Sequence, residues 1–108
     1  MTDSLRVAVI AKLRALPGRG EELTAALLPL FDGLEQLPGT PVFCIHEVTD
    51  DPDTLVFYEL HRDEAAFDDA DAAAAALLGD RLDGLLAQPP EITMCRPVRL
   101  YGISSAYR

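Results

Sequence analysis

Asp50-Asp51-Pro52-Asp53-Thr54-Leu55-Val56-Phe57-Tyr58-Glu59-Leu60-His61-Arg62-Asp63-Glu64-Ala65-Ala66-Phe67 reads as a tight turn, a strand and a capped helix start in succession. The Asp-Asp-Pro-Asp cluster carries turn residues, and the β-branched and aromatic run from Thr54 to His61 favours a strand. Asp63 stands where a carboxylate accepts the free amides of a helix beginning at Glu64, with Phe67 as its first large apolar contact. Strand alternation puts Leu55, Phe57, Glu59 and His61 on one face and Val56, Tyr58 and Leu60 on the other. Two ionisable side chains on one face with Leu55 and Phe57 mark an unusual use of polar groups in a small domain.

Working outward, Val42 to Val48 is a second β-type run, so the two strands form a hairpin around Asp50-Asp51-Pro52-Asp53. Leu5 to Leu13 alternates apolar residues at odd positions and predicts a half-buried strand. Pro17-Gly18 ends it. Glu21 and Glu22 then precede Leu23, Leu27, Leu30, Leu34 and Leu37, whose three-and-four spacing marks one helical face, and acids in the first turn suit the helix dipole. Pro29 lies inside this helix and should kink it, at a cost of about 3 kcal/mol that packing must offset. Pro38-Gly39 stops it. The Ala72 to Ala76 run has high helix propensity and a thin side-chain layer; Gly79 ends that helix, and Asp80 is placed to cap a short last helix through Leu82, Leu85 and Leu86. Pro89-Pro90 leads to a strand from Ile92 to Leu100, and Ser104 to Arg108 is expected to be a mobile tail.

The order β-α-β-β-α-β, with no repeat or linker, is the split unit of a ferredoxin-like α+β fold: an antiparallel sheet with both helices on one face. The whole chain, 1–108, is expected to be one domain. In the second and third strands both faces are apolar enough to want burial, Phe43 and Ile45 opposing Val42 and Cys44. A homodimer packed sheet to sheet resolves this.

The formal net charge of −9 over 108 residues makes nucleic acid a poor partner. The apolar stretches fall short of the ~18 residues of a membrane span. The N-terminus shows no basic-then-apolar leader, so a cytoplasmic location and no membrane partner are expected. The acidic run Asp63, Glu64, Asp68, Asp69 and Asp71 reads as a solvated helix face. Cys44 and Cys95 lack CxxC spacing and fall on opposite outer strands, which predicts free, mostly buried thiols and no metal site. No calcium loop, nucleophile elbow or phosphate-cradling loop is present.

Pro17-Gly18 followed by Glu21-Glu22-Leu23, the mid-helix Pro29, Pro38-Gly39, the Asp51-Pro52 turn and Tyr58-Glu59-Leu60-His61-Arg62-Asp63-Glu64-Ala65-Ala66-Phe67 together resemble the antibiotic biosynthesis monooxygenase family over about Val7 to Val98. The resemblance implies a dimeric α+β barrel. It also implies a cofactor-independent monooxygenase that oxidises a quinol or polycyclic aromatic phenol with oxygen. The chain departs from the family where His61 replaces a frequent Trp and Ala70 a frequent His. A second reading is a non-catalytic dimeric barrel that binds a small apolar ligand or serves as an accessory domain.

In the first reading the protein accepts a proton, stabilises an anion and excludes water. The candidate catalytic pair is His61, an imidazole suited to proton transfer near neutrality, and Glu59, which orients it or stabilises its cation. Strand geometry separates such i and i+2 side chains by about 6 to 7 Å, which leaves both direct contact and a bridging water open. Candidate substrate-binding residues are Phe57, Tyr58, Arg96 as the counter-charge of a substrate anion, and Phe67. Blander alternatives are His61 facing solvent beside Arg62, Glu59 bonding neighbouring amides, Tyr58 in the core or an interface, Arg96 pairing with surface acids and Phe67 in the core; His46, on the face of Val42 and Cys44, reads as a core or interface histidine.

Overall fold

The structure, a computed structural model, describes residues 5–102; the expected tail from Ser104 lies outside the described residues. Seven elements follow in order: β1 (Val7–Arg14), α1 (Gly20–Leu27), α2 (Pro29–Leu34), β2 (Val42–Val48), β3 (Asp51–His61), α3 (Glu64–Leu78) and β4 (Glu91–Cys95). The four strands form one antiparallel sheet in the order β2-β3-β1-β4. This is the ferredoxin-like α+β arrangement that the order of elements predicts.

Register fixes the two faces. Val9 pairs with Glu59, and Ala11 with Phe57; Phe43 pairs with Glu59, and Ile45 with Phe57. These residues share the face that the helices cover, with Leu13, Leu23, Leu27, Leu30, Leu34, Leu55 and Ala70 at the centre of the core. Leu23 and Leu27 are fully buried, each contributing about 1.5–3 kcal/mol by leaving water. The opposite face carries Ala8, Ile10, Val42, Cys44, Val56, Tyr58 and Leu60, and among the described residues only one end of it closes into a small cluster with Leu5 and Leu100.

The expected single kinked helix is two. Pro29 has no amide hydrogen to give to the preceding turn, so α1 ends and α2 restarts with Pro29 in its first turn. Leu23, Leu27, Leu30 and Leu34 still line one buried face across the break.

The hairpin turn sits earlier than its acidic cluster suggests. Val48 pairs with Asp51, and a register shift next to Val48 leaves Pro52, Asp53 and Thr54 without β2 partners. A proline is tolerated there because no ladder amide is needed. The acids bond locally and across the sheet instead. Asp51 accepts from the Asp53 amide at 3.2 Å and from the Thr54 hydroxyl at 2.6 Å. The Thr54 hydroxyl is the main reason that the Asp51 carboxyl is held below its ordinary pKa, with the Asp53 amide and the nearby Arg14 and Lys12 adding to it. Asp53 accepts the amides of Gly18 and Gly20, both at 2.9 Å. A Cβ on Gly20 would fall 2.1 Å from the carbonyl oxygen of Pro52. Pro17-Gly18 and Asp51-Pro52-Asp53 are therefore two halves of one joint.

Asp63 caps α3, accepting the Ala66 amide at 2.9 Å, and Gly79 ends the helix in a left-handed conformation. The short last helix expected through Leu82, Leu85 and Leu86 does not form. Arg81, Asp83 and Leu85 each bond back three residues in successive turns, and Gly84 turns left-handed at φ 78°. β4 stops at Cys95 rather than Leu100, since Pro97 offers no amide to a longer ladder. Cys44 and Cys95 are free and partly buried.

Candidate active site

Ala70 and Ala74 on α3 are too short to fill the space above β3, and a cavity of about 160 Å³ remains between the sheet and the helices. Leu27, Leu30 and Leu34 of α1 and α2 close one side, Val9, Phe43, Phe57 and Glu59 form the floor, and Phe67, Ala70, Asp71, Ala74 and Leu78 of α3 form the roof. The roof residues repeat at three and four, one stripe of a helix. Asp71, Pro90 and Ile92 are exposed and form the rim. The walls are apolar except for the carboxylates of Glu59 and Asp71.

Behind Glu59 lies a buried chain of polar groups. Its Oε1 is 2.8 Å from Nε2 of His61, and Nδ1 of His61 is 2.8 Å from the hydroxyl of Thr40. The Glu59 side chain is 17% exposed and that of His61 is 0%. The imidazole and the Phe67 ring are near perpendicular, at 77°, with ring centres 5.5 Å apart. The contact between Glu59 and His61 is direct, because the two methylenes of Glu59 span the strand spacing.

The structure thus brings together four of the six residues singled out in the sequence. Glu59, Phe57 and Phe67 line the cavity, and His61 supports Glu59 from inside the wall without reaching the cavity or solvent. Tyr58 is not brought in: its place in the alternation puts it on the open face, opposite Cys44 and Ile10. Arg96 is not brought in either. It follows the end of β4, is exposed and lies off the cavity.

Two contributors carry no clear sequence signal. Thr40 comes from a loop with no periodicity, and Asp71 is hidden in an acidic run that otherwise faces water. A larger hollow of about 390 Å³ lies outside the α2–β2 connection, lined by Phe31, Glu35, Pro38, Thr40 and Pro41 among others. Its only ionisable group is the exposed Glu35, so it lacks the supported polar group that marks the inner cavity. Among the described residues no cluster of three His, Cys, Asp or Glu side chains is placed to hold a metal ion.

These features define a ferredoxin-like α+β protein with a small apolar cavity and one internally supported carboxylate. The model of the antibiotic biosynthesis monooxygenase family matches residues 6–77, and the chain belongs to that family. PA3566 from Pseudomonas aeruginosa is similar in fold, with 22% identity over 92% of this chain and 100% of its own and a TM-score of 0.80. Rv0793 from Mycobacterium tuberculosis is similar at 23% identity over 90% and 99%, with a TM-score of 0.79. A protein of unknown function from Nitrosomonas europaea, NE2512, is similar at 22% identity over 95% and 99%, with a TM-score of 0.81. No curated protein matches the chain.

Proposed function

We propose that this protein is a monooxygenase acting on a phenol or quinol that bears a hydrogen on the ring carbon to be oxidised, with Glu59 as the proton acceptor and no bound metal or flavin. The observation that carries this reading is the placement of Glu59: a carboxylate on the wall of an apolar cavity, backed by a buried imidazole. Substrate hydroxyl gives its proton to Glu59, and the resulting anion carries charge to the ring carbon. That carbon bonds to oxygen. Loss of its hydrogen and cleavage of the O–O bond leave a carbonyl on the ring and release water, so phenol plus O2 balances quinone plus H2O with no outside reductant. Phe57 and Phe67 offer ring contacts, and apolar walls keep water from the anion.

The cavity is close in volume to an engineered one of about 150 Å³ that holds benzene. One ring fits inside, and a polycyclic phenol extends past Asp71, Pro90 and Ile92. His61, placed as a candidate catalytic residue by the sequence, acts in this reading through Glu59, as a positioning residue.

The open face is read as the surface of a homodimer. Ile10 is 42% exposed there, with Val42, Cys44, Val56 and Tyr58 on the same face and, among the described residues, no helix above them. The bimolecular partner is a second copy because this apolar face, packed on itself, satisfies both subunits. No described helix is long and apolar enough to cross a membrane.

Oxygen uptake by metal-free protein, with naphthohydroquinones and anthrones, tests the activity. Acceleration over buffer is expected, lost in Glu59→Gln. Uptake at the buffer rate with every substrate rejects the enzyme reading and leaves ligand binding as the cavity's use.

A further inference from the structure

We propose that Thr40 is a positioning residue: its hydroxyl holds His61 in the tautomer that presents Nε2–H to Glu59. The inference rests on Glu59 being the proton acceptor in the cavity. An ionised carboxylate only accepts hydrogen bonds, so the ring nitrogen 2.8 Å from Glu59 Oε1 must carry the hydrogen. A neutral imidazole with its hydrogen on Nε2 has a lone pair on Nδ1. The partner of Nδ1 must then donate, and the hydroxyl of Thr40, 2.8 Å away, is the donor. The opposite tautomer would aim one lone pair at a carboxylate and leave its Oε1 without this hydrogen. The ring is fully buried, so no solvent molecule substitutes for Thr40.

The Pro38-Gly39-Thr40 stop between α2 and β2 is built to deliver this contact. The Arg62 amide bonds the Gly39 carbonyl at 2.8 Å, tying the loop to the residue that follows His61. The Thr40 amide bonds back to Leu37 at 3.2 Å. A Cβ on Gly39 would stand 2.6 Å from the Cβ of Ala66, so only glycine lets the loop lie this close to α3. A glycine that reads as a helix stop also sets the distance between Thr40 and the imidazole. Thr40 itself is 8% exposed and borders the hollow outside the α2–β2 connection rather than the cavity, so it acts through His61 and not on substrate.

The chain has two histidines, so a His46→Gln background leaves the ring of His61 alone for NMR of its nitrogen shifts at neutral pH. The expected result is a protonated-type Nε2 and an unprotonated-type Nδ1. Thr40→Ser, which keeps the hydroxyl, should preserve that pattern; Thr40→Val should give mixed tautomers and lower kcat at least about tenfold with KM little changed. Nδ1 protonated in the parent protein, or a parent-like spectrum in Thr40→Val, overturns the proposal. The parent spectrum decides even where the valine variant does not fold. Absence of oxygen uptake with a parent spectrum as expected removes the monooxygenase reading alone.

Discussion

Glu59 and His61, two residues apart on β3, meet directly, with 2.8 Å between Oε1 and Nε2. In the proposed reading this contact separates proton acceptance, which needs the cavity, from orientation, which needs burial. Glu59→Gln keeps the side chain's shape and its acceptor oxygen toward His61 but removes the basic group. Turnover in the oxygen assay should fall about 10²–10⁴-fold with KM little changed. Unchanged turnover would remove Glu59 as the base.

Ala74 lines the cavity roof. Ala74→Leu places a branched side chain in the space a ring would occupy, and overpacking costs no more than about 1–3 kcal/mol. The variant should fold, as read by circular dichroism, and lose binding of a naphthohydroquinone under anaerobic titration. Retained affinity would place the ligand elsewhere.

Asp53 accepts two amides from the β1–α1 turn. Asp53→Ala strands both, one of them partly buried, and should lower stability by about 1–3 kcal/mol in a urea titration. A change within a few tenths would show that the joint is held by backbone packing instead.

The Asp51 carboxyl is depressed below its ordinary value chiefly by the Thr54 hydroxyl. A depressed carboxyl contributes stability that is present above its unfolded pKa and disappears as pH falls through the folded one. Thr54→Val removes the main cause. The melting-temperature gap between parent and variant should be widest near neutrality and narrow on acidification into the carboxylate range. A gap independent of pH would mean that the hydroxyl acts through packing or a neutral bond.

Ile10 stands at the middle of the open face, beside Tyr58 and Thr93. Ile10→Asp should leave the helix-side core intact yet convert a dimer to a monomer by light scattering at micromolar concentration. A parent mass of one subunit would sink the dimer itself.

The fold was legible because its signals are local. Alternation in β1 and β3, the leucine spacing across Pro29 and the Asp63 cap each depend on neighbours in sequence. The candidate site was legible where it lies on β3 and at the start of α3: Glu59, Phe57 and His61 follow from one strand's alternation, and Phe67 from the capped helix that comes next. Thr40 lies 21 residues from His61, and their pairing depends on how a loop is tied to the end of β3, which no periodicity records. Tyr58 lies off the cavity although it adjoins a candidate acid, because adjacent strand residues point to opposite faces. The Leu82–Leu86 stretch misled because leucines at helical spacing outweighed Gly84, whose left-handed backbone ends any helix there.

β3 writes two messages on one ribbon, the odd positions toward the cavity and the even ones toward the open face. Point substitutions can therefore revise the cavity wall and the open face separately, residue by residue. A single insertion or deletion within the strand cannot: it would trade the two faces beyond that point, moving Glu59 and His61 outward while turning Tyr58 and Leu60 inward. The strand tolerates spelling changes far better than changes of frame.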